Sequence, residues 1–211
     1  MHALLYFKDK KEKQYIEKEI LEHFKKYKEL LIERLSVCKK NKFQWNIVSK
    51  WLDRGEYYLL FYPRKQEIFE SCKIVVSQRS PLNIFGFNEI PWYAASDVYF
   101  ITHKDNNSFF LKYVLAHLNS KLVYLWLYHR GKRKGEILEL IVKPLSEIPI
   151  KKISEDEQKP FVKLVDRVLA AKCANPQADT SVLEREIDQM VYQLYGLTEE
   201  EIAIVEGARN P

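Results

Sequence analysis

The chain has 211 residues, 34 of them Lys or Arg and 29 Asp or Glu, for a formal charge of +5. A hydrophobic content of 46% with 13% aromatics excludes global disorder, and six glycines with eight prolines exclude collagenous or linker-like low complexity. No apolar run approaches the about 18 residues of a membrane span, the start Met1-His2-Ala3-Leu4-Leu5-Tyr6-Phe7 lacks a basic leader, and Cys38, Cys72 and Cys173 are odd in number and far apart, so a cytoplasmic chain with no membrane partner is expected.

Residues 11–37 predict one long amphipathic helix. Tyr15, Ile16, Ile20, Leu21, Phe24, Tyr27, Leu30, Leu31 and Leu35 recur at spacings of three and four, and no Gly or Pro interrupts them. From Trp45 to Ile101 the period shortens. Tyr57–Tyr62, Lys73–Ser77 and Asp97–Thr102 read as strands, separated by Asp53-Arg54-Gly55, Pro81-Leu82-Asn83 and Asn88-Glu89-Ile90-Pro91. Phe85, Phe87, Trp92, Tyr93, Tyr99 and Phe100 crowd together there, mostly as core.

Residues 108–129 return to helical spacing, with Asn119 and Ser120 expected to bond backbone rather than ligand. Arg130-Gly131-Lys132-Arg133-Lys134-Gly135 then forms a basic loop, followed by a strand from Ile137 to Val142. Ser154/Glu157, Ser181/Glu184 and Thr198/Glu201 each match a capping box. Two amphipathic helices, over 155–173 and 182–195, are expected to make a hairpin that packs on the core or on a partner. The fold class is thus α+β, a small mixed or antiparallel sheet with packed helices. The expected divisions are 1–44 helical, 45–152 core and 153–211 helical hairpin.

Charge is unevenly spread. Residues 1–51 hold 13 basic and 7 acidic groups, and residues 112–152 hold 9 and 3; residues 153–211 reverse this with 6 and 12. The basic stretches point to a polyanionic partner, and the acidic tail would repel phosphate. Arg130, Lys132, Arg133 and Lys134 are four cations in five residues, suited to gripping duplex phosphates. Complementing the helix C-terminus explains one or two of them, not four. Arg64, Lys65, Lys73, Gln78, Arg79 and Ser80 offer side chains able to contact base edges, though ordinary polar loop positions would look the same.

Catalytic and metal-binding patterns are missing. There is no Cys-x-x-Cys, His-Glu-x-x-His, Gly-x-Gly-x-x-Gly, Walker loop or Gly-x-Ser-x-Gly. Glu157-Gln158-Lys159 matches only the last element of a Pro-Asp … Glu-x-Lys nuclease. No metal, cofactor or catalytic residue is therefore expected in the chain.

Six motifs in order carry a resemblance. Trp92-Tyr93-Ala94-Ala95-Ser96-Asp97-Val98-Tyr99-Phe100-Ile101 is followed by Leu111-Lys112-Tyr113-Val114-Leu115-Ala116-His117-Leu118-Asn119-Ser120-Lys121-Leu122, by Tyr128-His129-Arg130-Gly131-Lys132-Arg133-Lys134-Gly135 and by Lys143-Pro144-Leu145-Ser146-Glu147-Ile148-Pro149-Ile150. Leu183-Glu184-Arg185-Glu186-Ile187-Asp188 and Val191-Tyr192-Gln193-Leu194-Tyr195-Gly196-Leu197-Thr198 complete the series. Over residues 20–207 this order resembles the TaqI-like C-terminal specificity domain, the target-recognition part of adenine-specific DNA methyltransferases and of fused type IIG restriction-modification enzymes. The resemblance implies double-stranded DNA as partner. It also implies an N-terminal methyltransferase or endonuclease domain or subunit, which would bind S-adenosylmethionine and flip the adenine. Asn175-Pro176-Gln177-Ala178 lacks the second proline and the aromatic ring of the catalytic Asn-Pro-Pro-aromatic motif, so catalysis is expected elsewhere. A type I specificity-subunit half and a protein-interaction module are the rival readings.

Overall fold

Strand pairing and helix packing come from a computed structural model that describes residues 18–59, 66–94, 97–103 and 108–207. The chain divides into two compact units, Met1–Gln66 and Glu67–Pro211.

In the first unit the expected long helix is two helices, α1 (Lys18–Lys25) and α2 (Lys28–Ser36), and its first turns lie outside the described residues. At the break Lys26 and Tyr27 donate to carbonyls only three residues back, His23 O and Phe24 O. Such tighter bonds end the α-helical ladder without Gly or Pro. The ring of Phe24 stacks on Tyr58, centroids 5.7 Å apart. A 3-10 turn (Val37–Lys40) leads to α3 (Lys42–Asp53), whose N-cap Asn41 accepts from Phe43 N at 3.0 Å and Gln44 N at 3.2 Å. The expected division after residue 44 thus falls inside a helix, and Trp45–Asp53 is helical rather than the start of the sheet region. Gly55, at φ 71°, closes α3 in the left-handed region.

The second unit begins within α4 (Gln66–Glu70) and carries two antiparallel three-stranded sheets. One has the order β3-β1-β4, from β1 (Lys73–Ser77), β3 (Phe85–Asn88) and β4 (Val98–Thr102). The other has the order β2-β6-β5, from β2 (Arg79–Ser80), β5 (Lys132–Lys134) and β6 (Ile137–Glu139). The α+β expectation holds, and β1 and β4 lie where their branched and aromatic runs place them. Of the six crowded aromatics only Phe85 is fully buried. The others are half-buried or, like Trp92, exposed, and Phe69, Tyr93, Phe100 and Trp92 form their own ring cluster.

The helix expected over 108–129 is split into α5 (Leu111–Leu118) and α6 (Lys121–Arg130). Asn119 and Ser120 make the split and, as their helix-breaking chemistry suggests, bond backbone. Asn119 Oδ1 accepts from Phe85 N at 2.8 Å and its Nδ2 donates to Phe85 O at 2.9 Å, so the amide pairs with β3 as a further strand residue would. Ser120 caps α6, its Oγ accepting from Val123 N. Buried Asn83 donates to both Leu118 O and Ser120 O across the same break.

A short helix α7 (Val142–Ser146) ends the expected Ile137–Val142 strand early. The C-terminal helices are α8 (Glu155–Ala174), α9 (Ser181–Tyr195) and α10 (Glu199–Gly207). Capping boxes form at Ser154/Glu157 and Thr198/Glu201. At α9 the N-cap is Thr180, one residue earlier than expected. Ser181 N donates to Asp179 Oδ1, and Thr180 Oγ1 donates to Glu184. The hairpin packs on its own unit: Phe161, Leu164 and Val165 of α8 and Ile187 and Val191 of α9 join Ile74, Val76, Phe85, Tyr113, Leu115 and Leu127 in one core. Asp188 accepts from Lys121 N at 2.9 Å, giving α6 an acidic cap from another helix.

Candidate nucleic-acid interface

The basic segment after α6 is a strand rather than a loop. Gly131 lets the chain leave the helix because a Cβ there would sit 2.4 Å from Leu127 O. Its own N–H donates to that oxygen at 2.9 Å. Lys132–Lys134 then run as β5, turn through Gly135-Glu136 with Gly135 at φ 61°, and pair with β6: Lys132 opposite Glu139, Arg133 opposite Leu138, Lys134 opposite Ile137. A two-residue hairpin turn of this kind favours glycine at its positive-φ position.

Alternation along a strand makes the four cations inequivalent. Lys132 and Lys134 share the exposed face with Ile137 and Glu139. Arg133 lies on the face of buried Leu138, its guanidinium carbon 3.7 Å from the Tyr128 ring centroid. Arg130 is the exposed last residue of α6, where a cation also complements the helix C-terminus.

The other edge of this small sheet comes from the second expected cluster. β1 passes into β2 through Gln78, whose N–H donates to Asp97 O at 2.7 Å and whose carbonyl accepts from Leu140 N at 2.8 Å. That residue therefore ties the two sheets together while its side chain stays half-exposed. Arg79 then pairs opposite Glu139 and Ser80 opposite Leu138. Ser77 Oγ donates to Arg79 O, and Ser80 Oγ accepts from Leu82 N. One exposed face thus gathers Arg79, Lys132 and Lys134, drawn from segments more than fifty residues apart in sequence.

Glu139 sits between them. Lys132 Nζ lies 2.8 Å from its Oε2 and Arg79 Nε 3.9 Å from its Oε1. The hydrogen bond from Lys132 holds the Glu139 carboxyl below its usual range, against an opposing push from burial; the Lys132, Arg79 and Lys134 charges add to the depression. Sequence reasoning did not single out Glu139 or Tyr128. The one signal for Glu139 was a lone acid in a short apolar strand beside a basic one.

Lys73 is the correction. Its side chain is fully buried, and Nζ donates to Phe69 O at 2.7 Å, Ser71 O at 2.8 Å and Ile90 O at 3.0 Å. All three ammonium donors are used, and burial pushes the ammonium pKa down. Lys73 braces the start of β1 and has nothing left for a groove. Arg64 and Lys65 lie outside the described residues.

Residues 7–150 match the TaqI-like C-terminal specificity domain. The chain belongs to that family. Both edges of the basic sheet fall inside the matched region, and α8 to α10 lie beyond it. The specificity domain is also similar, over 130 residues, to two Haemophilus influenzae proteins: Type II methyltransferase M.HincII at 32% identity and Type II methyltransferase M.HindII at 33%. Each alignment covers 62% of this chain and 24% of the relative, so the matched stretch is about a quarter of those proteins' length. Among the described residues no helix is long and apolar enough to cross a membrane.

Proposed function

We propose that this specificity domain recognises a target sequence in double-stranded DNA for a restriction-modification system and directs an adenine-specific DNA methyltransferase to it. The observation that carries the reading is the β2-β6-β5 face, which draws Arg79, Lys132 and Lys134 into one exposed surface of a chain from a specificity-domain family. Lys132 and Lys134 suit phosphates, which fix register. Arg79 and the half-exposed Gln78 have the donor and acceptor geometry to address base edges, and a β-ribbon fits the width of the major groove. The relatives' description as Type II methyltransferases supports a methyltransferase as the partner.

S-adenosylmethionine belongs to that partner in this reading. The work of this chain is to bind and orient the duplex.

Fluorescence anisotropy against a mixed-sequence duplex, titrated between about 50 and 200 mM salt, tests the reading. Replacing Arg79, Lys132 and Lys134 together with Gln should weaken binding and flatten the salt dependence by about 0.9 for each phosphate no longer neutralised. Unchanged affinity and slope would remove this face from the interface.

A further inference from the structure

A carboxylate at the middle of a phosphate-binding face is an unfavourable choice by itself, since it repels phosphate and offsets one of three cations. Strand register makes the placement specific: Glu139 is opposite both Arg79 and Lys132, so three residues from three strands form one row. With neighbouring strands about 4.8 Å apart, the row spans roughly 10 Å between its outer backbones. The outer side chains are 65% and 64% exposed and the central one 13%. The cations therefore face solvent while the carboxylate is tucked between their stems. Lys134 adds a third exposed cation on the same face.

We infer that Glu139 is the positioning residue of this interface, holding Arg79 and Lys132 in register and restraining their binding to phosphate alone. The inference rests on the reading of the face as DNA-binding. A phosphate that approaches Lys132 must displace or share the bond to Glu139. A duplex offering only its backbone gains little from that exchange. A duplex that also satisfies Arg79 and Gln78 at base edges gains enough to complete it. Glu139 thus trades general affinity for discrimination, which is what separates a recognition domain from a general DNA-binding surface.

Glu139→Gln keeps the shape and an acceptor for Lys132 while removing the charge. In anisotropy titrations with a labelled mixed-sequence duplex of about 20 base pairs, the variant should bind about three-fold tighter. That is the factor a unit charge about 6 Å from a phosphate contributes in water. Its salt slope should steepen by about 0.9, one more phosphate engaged. Adding Lys132→Gln to Glu139→Gln should return both quantities toward wild type, because the released cation is gone. Circular dichroism checks folding, and Glu139→Thr, a β-branched residue suited to the strand, reads the same charge change if the glutamine variant fails to fold. Equal affinity and slope for wild type and both Glu139 variants overturn the inference and leave the DNA reading standing. If neither wild type nor variant binds duplex at low salt, the DNA reading fails, and the inference with it.

Discussion

Replacing Lys73 separates bracing from binding, because the two roles move different observables. The ammonium is fully buried and its three donors are spent on Phe69, Ser71 and Ile90 carbonyls at 2.7 to 3.0 Å. Lys73→Met retains most of the apolar stem and deletes those bonds. A hydrogen bond from a charged donor contributes about 1.5–3 kcal/mol net. The three bonds share one ammonium, so their values do not add and their sum is an upper bound. A destabilisation of about 2–4 kcal/mol is therefore expected, read by urea unfolding followed through tryptophan fluorescence at constant m-value. The pH dependence has a definite sign. Burial lowers the folded pKa below the unfolded value of about 10.4, so the unfolded chain binds more protons between the two values and wild-type stability rises with pH across that window. The methionine variant lacks that rise. Once folded, the variant should bind mixed-sequence duplex with the wild-type salt slope. Wild-type stability combined with a slope flattened by about 0.9 would refute the bracing role, since it would mean that the ammonium reaches a phosphate.

Three further outcomes follow from the same geometry. Gly131→Ala forces a Cβ to within 2.4 Å of Leu127 O, so the exit from α6 must shift. A destabilisation of about 1–3 kcal/mol in chemical denaturation and weaker duplex binding are expected, and a neutral result in both would contradict the close approach. Arg133→Gln should change the salt slope less than Lys134→Gln, because Arg133 lies against Tyr128 on the other face of β5; the reverse order would invert the assigned faces. His117 is fully buried beside Tyr113, Phe161 and Tyr195, with its Nδ1 against Tyr113 O, and burial pushes its pKa down. It is neutral in both folded and unfolded chains above about pH 6.5. Below that value the unfolded chain takes up the proton first and stability falls, a decline that continues down to the folded pKa. Thermal melts of His117→Leu should lack this part of the acid sensitivity, and an unaltered pH profile would count against it.

Where local chemistry decides the structure, the sequence was readable. The β-branched run Ile74-Val75-Val76 is β1, the Ser154/Glu157 and Thr198/Glu201 pairs are capping boxes, and Asn119-Ser120 interrupts a helix to bond backbone. Where two local signals compete, it was not. The shorter period expected from Trp45 onward does not begin there, because Asn41 supplies an N-cap and Trp45–Asp53 belongs to α3. The break at Lys26-Tyr27 has no Gly or Pro to announce it. Burial misled at Lys73, whose cation looks like a groove contact until strand and loop carbonyls converge on it. The candidate interface was half legible. The basic segment at 130–134 and Arg79 were each visible, but their union around Glu139 depends on strand pairing across more than fifty residues, which no local pattern encodes.

Amide chemical-shift perturbation on adding duplex DNA to the isotopically labelled chain tests the central claim most directly. If the β2-β6-β5 face binds the duplex, the largest shifts fall at residues 78–80 and 130–139, with α8 to α10 nearly unmoved. Shifts concentrated in α8 to α10, with the β2-β6-β5 face silent, would contradict it.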